Sequence, residues 1–462
     1  MVFVGRKNEL KKLEELYASD RFECVVMYGR RRVGKTALIQ EFIKDKRAIY
    51  FLSLETSERV NLENFSKCVW SATKGEIKTS PLFANFMDAL EAVGDMAGER
   101  LVLVIDEYPY LANSVQGISS MLQAQIDMRL KSTKIFIILC GSSMSFMENQ
   151  VLGYQSPLYG RRTAQLKVQH FDFFEATGFH PKYNELENAI VYGITGGIPQ
   201  YLLQMDSKKS LRANIIKNFF DPSSYLFEEP SNLLKQELRE PQMYNDVITA
   251  IATGSSRLNE ISTKTGVETA VCSKYLTSLI SLGIVKKERP IFTDNSKRTI
   301  YRLADNMFRF WYRFVPQNIS QIQSGAGEKV FDRIEPQISN YMGEVFEEIC
   351  KQYLWKENLE QRLPFYVQDA GRWWGTNPIN KSQQEIDIIA FDEKSAIFCE
   401  CKWGSEPVRN SVLNDLIEKS VMFNYTEKYF YIFSKSGFSE NCVKAAGKNV
   451  RLIEFPQILK LD

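Results

Sequence analysis
Apolar residues along this chain fall into two alternating patterns. Short unbroken runs, ECVVMYG, AIYFLSL, RLVLVIDE and KIFIILCGSS, punctuate its first part, and QLKVQHF follows as a fifth. Between them, apolar residues return every three or four positions. An unbroken apolar run of strand length fits a strand buried on both faces. The intervening periodicity fits helices that cross from one parallel strand to the next. Residues 1–168 are therefore predicted to form a parallel α/β sheet.

The pattern then changes three times. Over residues 169–243 the strand signal stops. FDFFEATGF, ENAIVYGITGGIPQYLLQM and LRANIIKNFF read as a small helical lid, broken at Gly196-Gly197-Ile198-Pro199. Over residues 244–316, RLNEISTKTGVETAVCSKYLTSLISLGIV gives helix, turn and helix, and KKERPIFTDNSKRTIYRLA gives a hairpin around Asp294-Asn295-Ser296. That order is a winged helix, with the aromatic run FRFWYRF (308–314) expected in its core. Residues 317–334 are polar, contain glycine and read as a linker. Residues 335–462 return to α/β: a helix through Glu344, strands at 363–369, 385–391 and 395–403, a helix near 408–424, and the closing strands KYFYIFS and VRLIEF.

Composition narrows the function. A chain of 462 residues exceeds one ordinary core, in keeping with several domains. Lys and Arg number 58 against 56 Asp and Glu, so any nucleic-acid footprint must be local. Residues 245–315 supply one, with eleven Lys and Arg against six Asp and Glu. The longest apolar runs, LVLVI and IFIILC, are far too short to cross a membrane, and the N-terminus reaches charge at Arg6 without a signal-length apolar core. Eight cysteines with no C-x-x-C pair read as reduced thiols, so a cytoplasmic protein without a membrane partner is expected. His170 and His180 stand apart from any Cys or acidic cluster, which argues against zinc and against histidine-driven catalysis. Chemistry falls to carboxylates, Lys, Arg and hydroxyls.

Such groups are densest after the first strand. ECVVMY runs into Gly29-Arg30-Arg31-Arg32-Val33-Gly34-Lys35-Thr36-Ala37, which opens a helix. G-x-x-x-x-G-K-T between strand and helix is a phosphate loop. Its glycines let backbone N–H groups turn to a phosphate, and the helix N-terminus adds positive potential. Lys35 reaches the β- and γ-phosphates, and Thr36 ligates Mg²⁺. Farther on, LVLVI ends in Asp106-Glu107. Asp106 fits the acid on the Mg²⁺ side, and Glu107 fits the base that orients the attacking water. ATP with Mg²⁺ is expected to bind here and to be hydrolysed to ADP.

FVGRKNEL at the start, these two motifs and ILCGSS together resemble AAA+ ATPases near the origin-recognition and STAND proteins, specifically the archaeal-type ATPase family that is also widespread in bacteria. The resemblance spans the ATPase core and the lid. It implies that Phe3, Val4, Gly5 and Arg6 lie along the adenine and that Ser142 or Ser143 senses the γ-phosphate. It also implies that Arg161 or Arg162 of PLYGRRT acts as an arginine finger on a neighbouring subunit. Pro199 of Gly197-Ile198-Pro199 would contact the nucleotide in place of a sensor arginine.

Members of that family commonly carry a winged helix next. Lys264, Lys274, Lys286, Lys287, Arg289, Lys297 and Arg298 would gather on its second helix and wing, for contact with phosphates or, equally, for docking a protein. Many members end in a domain resembling the restriction-endonuclease-like PD-(D/E)-x-K fold. In EIDIIAFDEKSAIFCECKWG, Asp387 on one strand and Glu400 and Lys402 on the next match that motif. Alternation puts Glu400 and Lys402 on one face of their strand, with Ile397, Cys399 and Cys401 on the other. Asp387 and Glu400, with Glu344 from the preceding helix, would hold Mg²⁺ or Mn²⁺, and Lys402 would position or activate water.

Two readings follow. One is an ATP-controlled protein acting on double-stranded DNA through a metal-dependent nuclease domain. The other is a STAND-like signalling switch whose appended domains bind a protein partner, or a further copy in a homo-oligomer, and whose nuclease fold is inert.

Overall fold
A computed structural model describes residues 3–74, 81–293, 298–377 and 381–459; the expected wing turn at Asp294-Asn295-Ser296 and Lys297 lie outside the described residues. The chain divides into two compact units, Met1–Phe171 with Ile198–Gln200, and Asp172–Gly197 with Tyr201–Asp462.

In the first unit, strands β1 (Glu23–Tyr28), β2 (Ala48–Leu52), β3 (Leu101–Asp106), β4 (Ile135–Gly141) and β5 (Ala164–Lys167) form one sheet in the order β2-β3-β4-β1-β5. Every pairing in it is parallel. Successive side chains of a strand point to opposite faces, so one run fills two cores. Val26, Leu103, Ile105, Ile137 and Leu139 pack on one face with Phe65, Phe86, Leu90 and Ile126. Val25, Met27, Val104, Phe136 and Ile138 pack on the other with Leu13, Leu38, Ile39 and Phe42. This double burial explains why β1, β3 and β4 carry no polar alternation, and it brings the C-terminal ends of all three strands to one edge.

The second unit begins with helices. Glu185–Thr195 ends where Gly196 and Gly197 take φ of 66° and 70°, a conformation that glycine reaches without strain. Helices Pro241–Ala252, Leu258–Thr265 and Thr269–Ser281 precede an antiparallel ribbon of β6 (Val285–Glu288) and β7 (Ile300–Leu303). Helix Asn306–Phe314 buries Met307, Phe308, Phe310, Tyr312 and Phe314, whereas Trp311 is only partly buried, so most of its aromatics are core. A second sheet holds β8 (Asp369–Thr376), β9 (Gln383–Phe391), β10 (Ser395–Lys402), β11 (Glu427–Ser434) and β12 (Val450–Glu454). β8, β9 and β10 form an antiparallel meander, and β10, β11 and β12 run parallel after helix Asn410–Ser420.

Two sequence expectations are corrected. Residues 317–334 are helical rather than a linker, covering Ile319–Gln323 and the start of helix Gly327–Leu359. Their polar residues are the solvent side of a helix whose Val330, Phe331, Ile334 and Ile338 recur at helical spacing and are buried. Gly327 permits the helix start to pack closely, since a Cβ there would stand 2.5 Å from the Phe220 carbonyl oxygen. The strand expected at 363–369 starts only at Asp369. Pro364 has no N–H to give a ladder. The Val367 N–H and C=O are both taken by the Asn358 side chain, at 2.8 and 3.0 Å.

Candidate functional site
The phosphate loop leaves β1 at Gly29. A Cβ on that residue would sit 2.3 Å from the Val168 carbonyl oxygen, so only glycine fits. Gly34 has φ of 90° and Arg32 has φ of 74°, two left-handed residues that curl the chain before helix Lys35–Ile43. Lys35 is buried, and its amine donates to the carbonyls of Gly29 at 2.8 Å and Arg30 at 3.1 Å. Burial pushes that amine below its usual range. Val33 is buried beside it, whereas Thr36 and Ala37 are exposed at the helix start.

Asp106, at the buried end of β3, collects three donors. Thr36 Oγ1 and the Tyr50 hydroxyl donate to its Oδ2 at 2.9 and 2.7 Å, and the Glu107 amide donates to its Oδ1 at 2.9 Å. Three donors on its two oxygens fix the orientation of this carboxylate. Burial and Asp106 push the Tyr50 phenol well above its usual range, so it stays a donor. Sequence reading missed Tyr50, because nothing in AIYFL marks it as more than a strand residue. Glu107 adopts φ of 51°, which turns the chain sharply into helix Tyr108–Ser114. Its Oε2 accepts from Ser142 Oγ at 2.8 Å and from the Ser142 amide at 3.3 Å. Ser142, rather than Ser143, is thus the serine that meets the acid pair. The Thr36 hydroxyl and the Asp106 carboxylate are the hard oxygen donors that Mg²⁺ prefers, and Lys35 supplies the charge that phosphates need.

Around this centre, Val4 and Gly5 lead into Arg6, which is 3% exposed. Its Nη2 donates to the carbonyls of Val33 at 2.8 Å and Gln169 at 2.5 Å, and its guanidinium lies 4.1 Å from the Phe171 ring centroid. Arg6 therefore staples the N-terminal segment to the phosphate loop. The Pro199 ring reaches the mouth of that loop, 3.6 Å from where a Gly34 Cβ would be. Arg31 Nη2 donates to the Tyr110 hydroxyl at 2.9 Å. Arg161 pairs with Asp127 at 2.8 Å, and Arg162 donates to the Leu152 carbonyl at 3.0 Å.

The second acidic cluster lies between β9 and β10. The regular pairing of these strands ends at Ile388 opposite Cys399, and β9 carries a register shift against β8 over 386–389. There the Asp387 carboxylate caps the open ladder, accepting from the Cys401 amide at 2.8 Å. Glu400 accepts from Lys402 Nζ at 2.6 Å and has Lys419 at 4.0 Å. Burial and the Glu400 charge push Asp387 up to about 6.

Glu344 is not part of this cluster, contrary to the sequence expectation. Although burial pushes it up, Arg302 and Arg309 bind it as ion pairs and hold it below its usual range. One turn later on the same helix, Glu347 is the acid that feels Asp387. Burial and that charge raise it to about 7, against Arg372 at 3.9 Å. The three-residue step rotates a helical side chain by roughly 60°, enough to exchange arginines for the cluster. Among the described residues, no three His, Cys, Asp or Glu side chains form a ready metal cluster.

Residues 3–205 match a family model described as an ATPase domain predominantly from Archaea, and residues 311–413 match one described as archaeal and bacterial proteins of unknown function. Over 441 residues, the chain is 34% identical to the uncharacterized protein MJECL04 of Methanocaldococcus jannaschii, covering 94% of this chain and 96% of that one. The chain belongs to this archaeal-type ATPase family. The uncharacterized ATP-binding protein MJ0423 of the same organism is 45% identical over 47 residues, 10% of this chain and 80% of its own length. The Walker-type ATPase PABY2304 of Pyrococcus abyssi shares the fold with a TM-score of 0.52 at 18% identity, covering 67% of this chain and 96% of that one. The protein is a P-loop ATPase. Among the described residues, no helix is long and apolar enough to cross a membrane.

Proposed function
We propose that this ATPase acts on double-stranded DNA, with a metal-dependent phosphodiester cleavage site in the second unit. At the nucleotide, Lys35 would bind phosphate, Thr36 and Asp106 would hold Mg²⁺, and Glu107, oriented by Ser142, would take a proton from the attacking water. Mg²⁺ would supply charge stabilisation on the phosphate oxygens. Helices Leu258–Thr265 and Thr269–Ser281 with the β6–β7 ribbon are read as a winged helix, whose Lys264, Lys274, Lys287, Arg289 and Arg298 are exposed. The observation that supports the cleavage reading is that Asp387 on β9 bonds to the Cys401 amide, between Glu400 and Lys402 of β10, and feels the charges of both. Oxygen ligands beside an amine suit metal-assisted hydrolysis without histidine.

Incubating the protein with supercoiled plasmid and Mg²⁺ or Mn²⁺, with and without ATP, tests this reading. Nicking that Asp387→Ala removes while ATP turnover persists supports it, and an intact plasmid under every condition ends it.

A second reading, a switch that uses these modules to bind protein, is favoured by one contact. The segment that leaves β6 is engaged internally: the Ile291 amide donates to the Arg372 carbonyl at 3.1 Å, and the Phe292 ring centroid lies 4.6 Å from that of Phe391. Neutralising Lys286, Lys287 and Arg289 separates the two readings. A duplex contact loses about 2–3 from the slope of log affinity against log salt, whereas a protein-docking module shows no change.

A further inference from the structure
Hydrolysis of ATP builds charge on the transferring phosphoryl group, and many P-loop enzymes meet it with an arginine from a neighbouring subunit. Here the arginines after β4 are already occupied. Arg161 is clamped by Asp127, which that pairing holds down at about 2, and Arg162 is bonded to the Leu152 carbonyl. The phosphate loop itself carries three more.

Of these, Arg31 is tied to the helix that follows β3. Its Nη2 donates to Tyr110, whose own amide donates to the Glu107 carbonyl at 2.9 Å, one turn into the helix that Glu107 opens. The loop residue that follows Arg31, Arg32, is left-handed at φ of 74°, so the chain reverses there and returns to Lys35. Arg31 and Lys35 thus come from one loop, and Tyr110 ties Arg31 to the helix that Glu107 opens. The charges of Arg31 and Glu107 both register at the Lys35 amine.

We propose that Arg31 is the catalytic arginine of this ATPase, supplied in cis by the phosphate loop and held ready by the Tyr110 hydroxyl. As the water oxygen bonds to the γ-phosphorus, the bond from that phosphorus to the β–γ bridging oxygen breaks. The water proton passes to Glu107, and ADP leaves with the electron pair of the broken bond. The Arg31 guanidinium meets the charge spread over the transferring oxygens and the bridge. A cis arginine makes each protomer competent alone.

The test compares binding of ADP with binding of ADP plus Mg²⁺ and fluoroaluminate, which mimics the transferring group. Arg31→Ala should keep ADP affinity, lose fluoroaluminate capture and lower single-turnover hydrolysis about 10²–10³-fold. Wild-type turnover per protomer should stay flat as protein concentration rises. Should Arg31→Ala also lose ADP, Tyr110→Phe decides, because it removes the hydroxyl that orients the guanidinium and leaves the loop sequence unchanged; weakened fluoroaluminate capture at unchanged ADP affinity is then expected. Undiminished capture in the variant that binds ADP overturns the proposal, and so does wild-type turnover that climbs with concentration.

Discussion
Ser142 and Glu107 share one hydrogen-bonded oxygen: the serine hydroxyl lies 2.8 Å, and its amide 3.3 Å, from Glu107 Oε2. Ser142 follows β4 and Glu107 follows β3, so two adjacent parallel strands deliver the pair. Glu107 reaches it from a left-handed backbone at φ of 51°, a conformation that costs roughly 1–2 kcal/mol for a residue with a side chain. A local cost retained beside the phosphate loop is a mark of a working position.

Glu107→Gln should therefore lower ATP turnover about 10²–10⁴-fold while leaving ATP bound, as expected for loss of a general base. Ser142→Ala should lower kcat by less and leave KM nearly unchanged, since it only frees the acid to rotate. Equal turnover in wild type and Glu107→Gln would remove that residue from the reaction.

The acids of the second unit make stability depend on pH in an unusual direction. Asp387 and Glu347 sit at about 6 and about 7 in the folded chain, above ordinary values of 3.8 and 4.5. The folded form then keeps protons that the unfolded form releases. The contribution of these groups is fully present below the ordinary values and is lost as pH rises through 6 and 7. Thermal unfolding of the second unit should fall in midpoint over that window, and Asp387→Asn with Glu347→Gln should flatten the fall. Added Mn²⁺ should raise the midpoint above neutrality in the wild type alone, by binding the folded state. A pH profile that the double variant leaves unchanged would show that these carboxyls do not hold the protons.

Phe292 joins the segment after β6 to β9 through the Phe391 ring, centred 4.6 Å away, and also meets Phe423, beyond helix Asn410–Ser420, at 5.8 Å. It is 47% exposed, so Phe292→Ala should cost about 1–2 kcal/mol, less than the 3–5 kcal/mol of a fully buried phenylalanine. The loss should also open the ribbon to proteases before the sheet itself unfolds. Denaturant melts and limited proteolysis check both, and an unaltered digestion pattern would mean that the ribbon is held elsewhere.

What the sequence determined by itself was local. Strands of the first unit announced themselves because each is buried on both faces, and the phosphate loop did so because its glycines, Lys35 and Thr36 are consecutive. Asp106-Glu107 was legible for the same reason, as an acid pair closing an apolar run. Residues joined by tertiary structure were not legible. Tyr50 reaches Asp106 because β2 pairs with β3 in a register that sets Leu52 beside Asp106, and no spacing along the chain encodes that pairing. Glu344 and Glu347 are equivalent as acids on one helix. Which of them meets Asp387 depends on the rotation of that helix, which its buried apolar face sets against the sheet and the nearby arginines. Polar spacing at 317–334 suggested a linker, and burial of the apolar residues between made it a helix. Short-range chemistry is written in the order of residues, whereas long-range neighbours are chosen by packing.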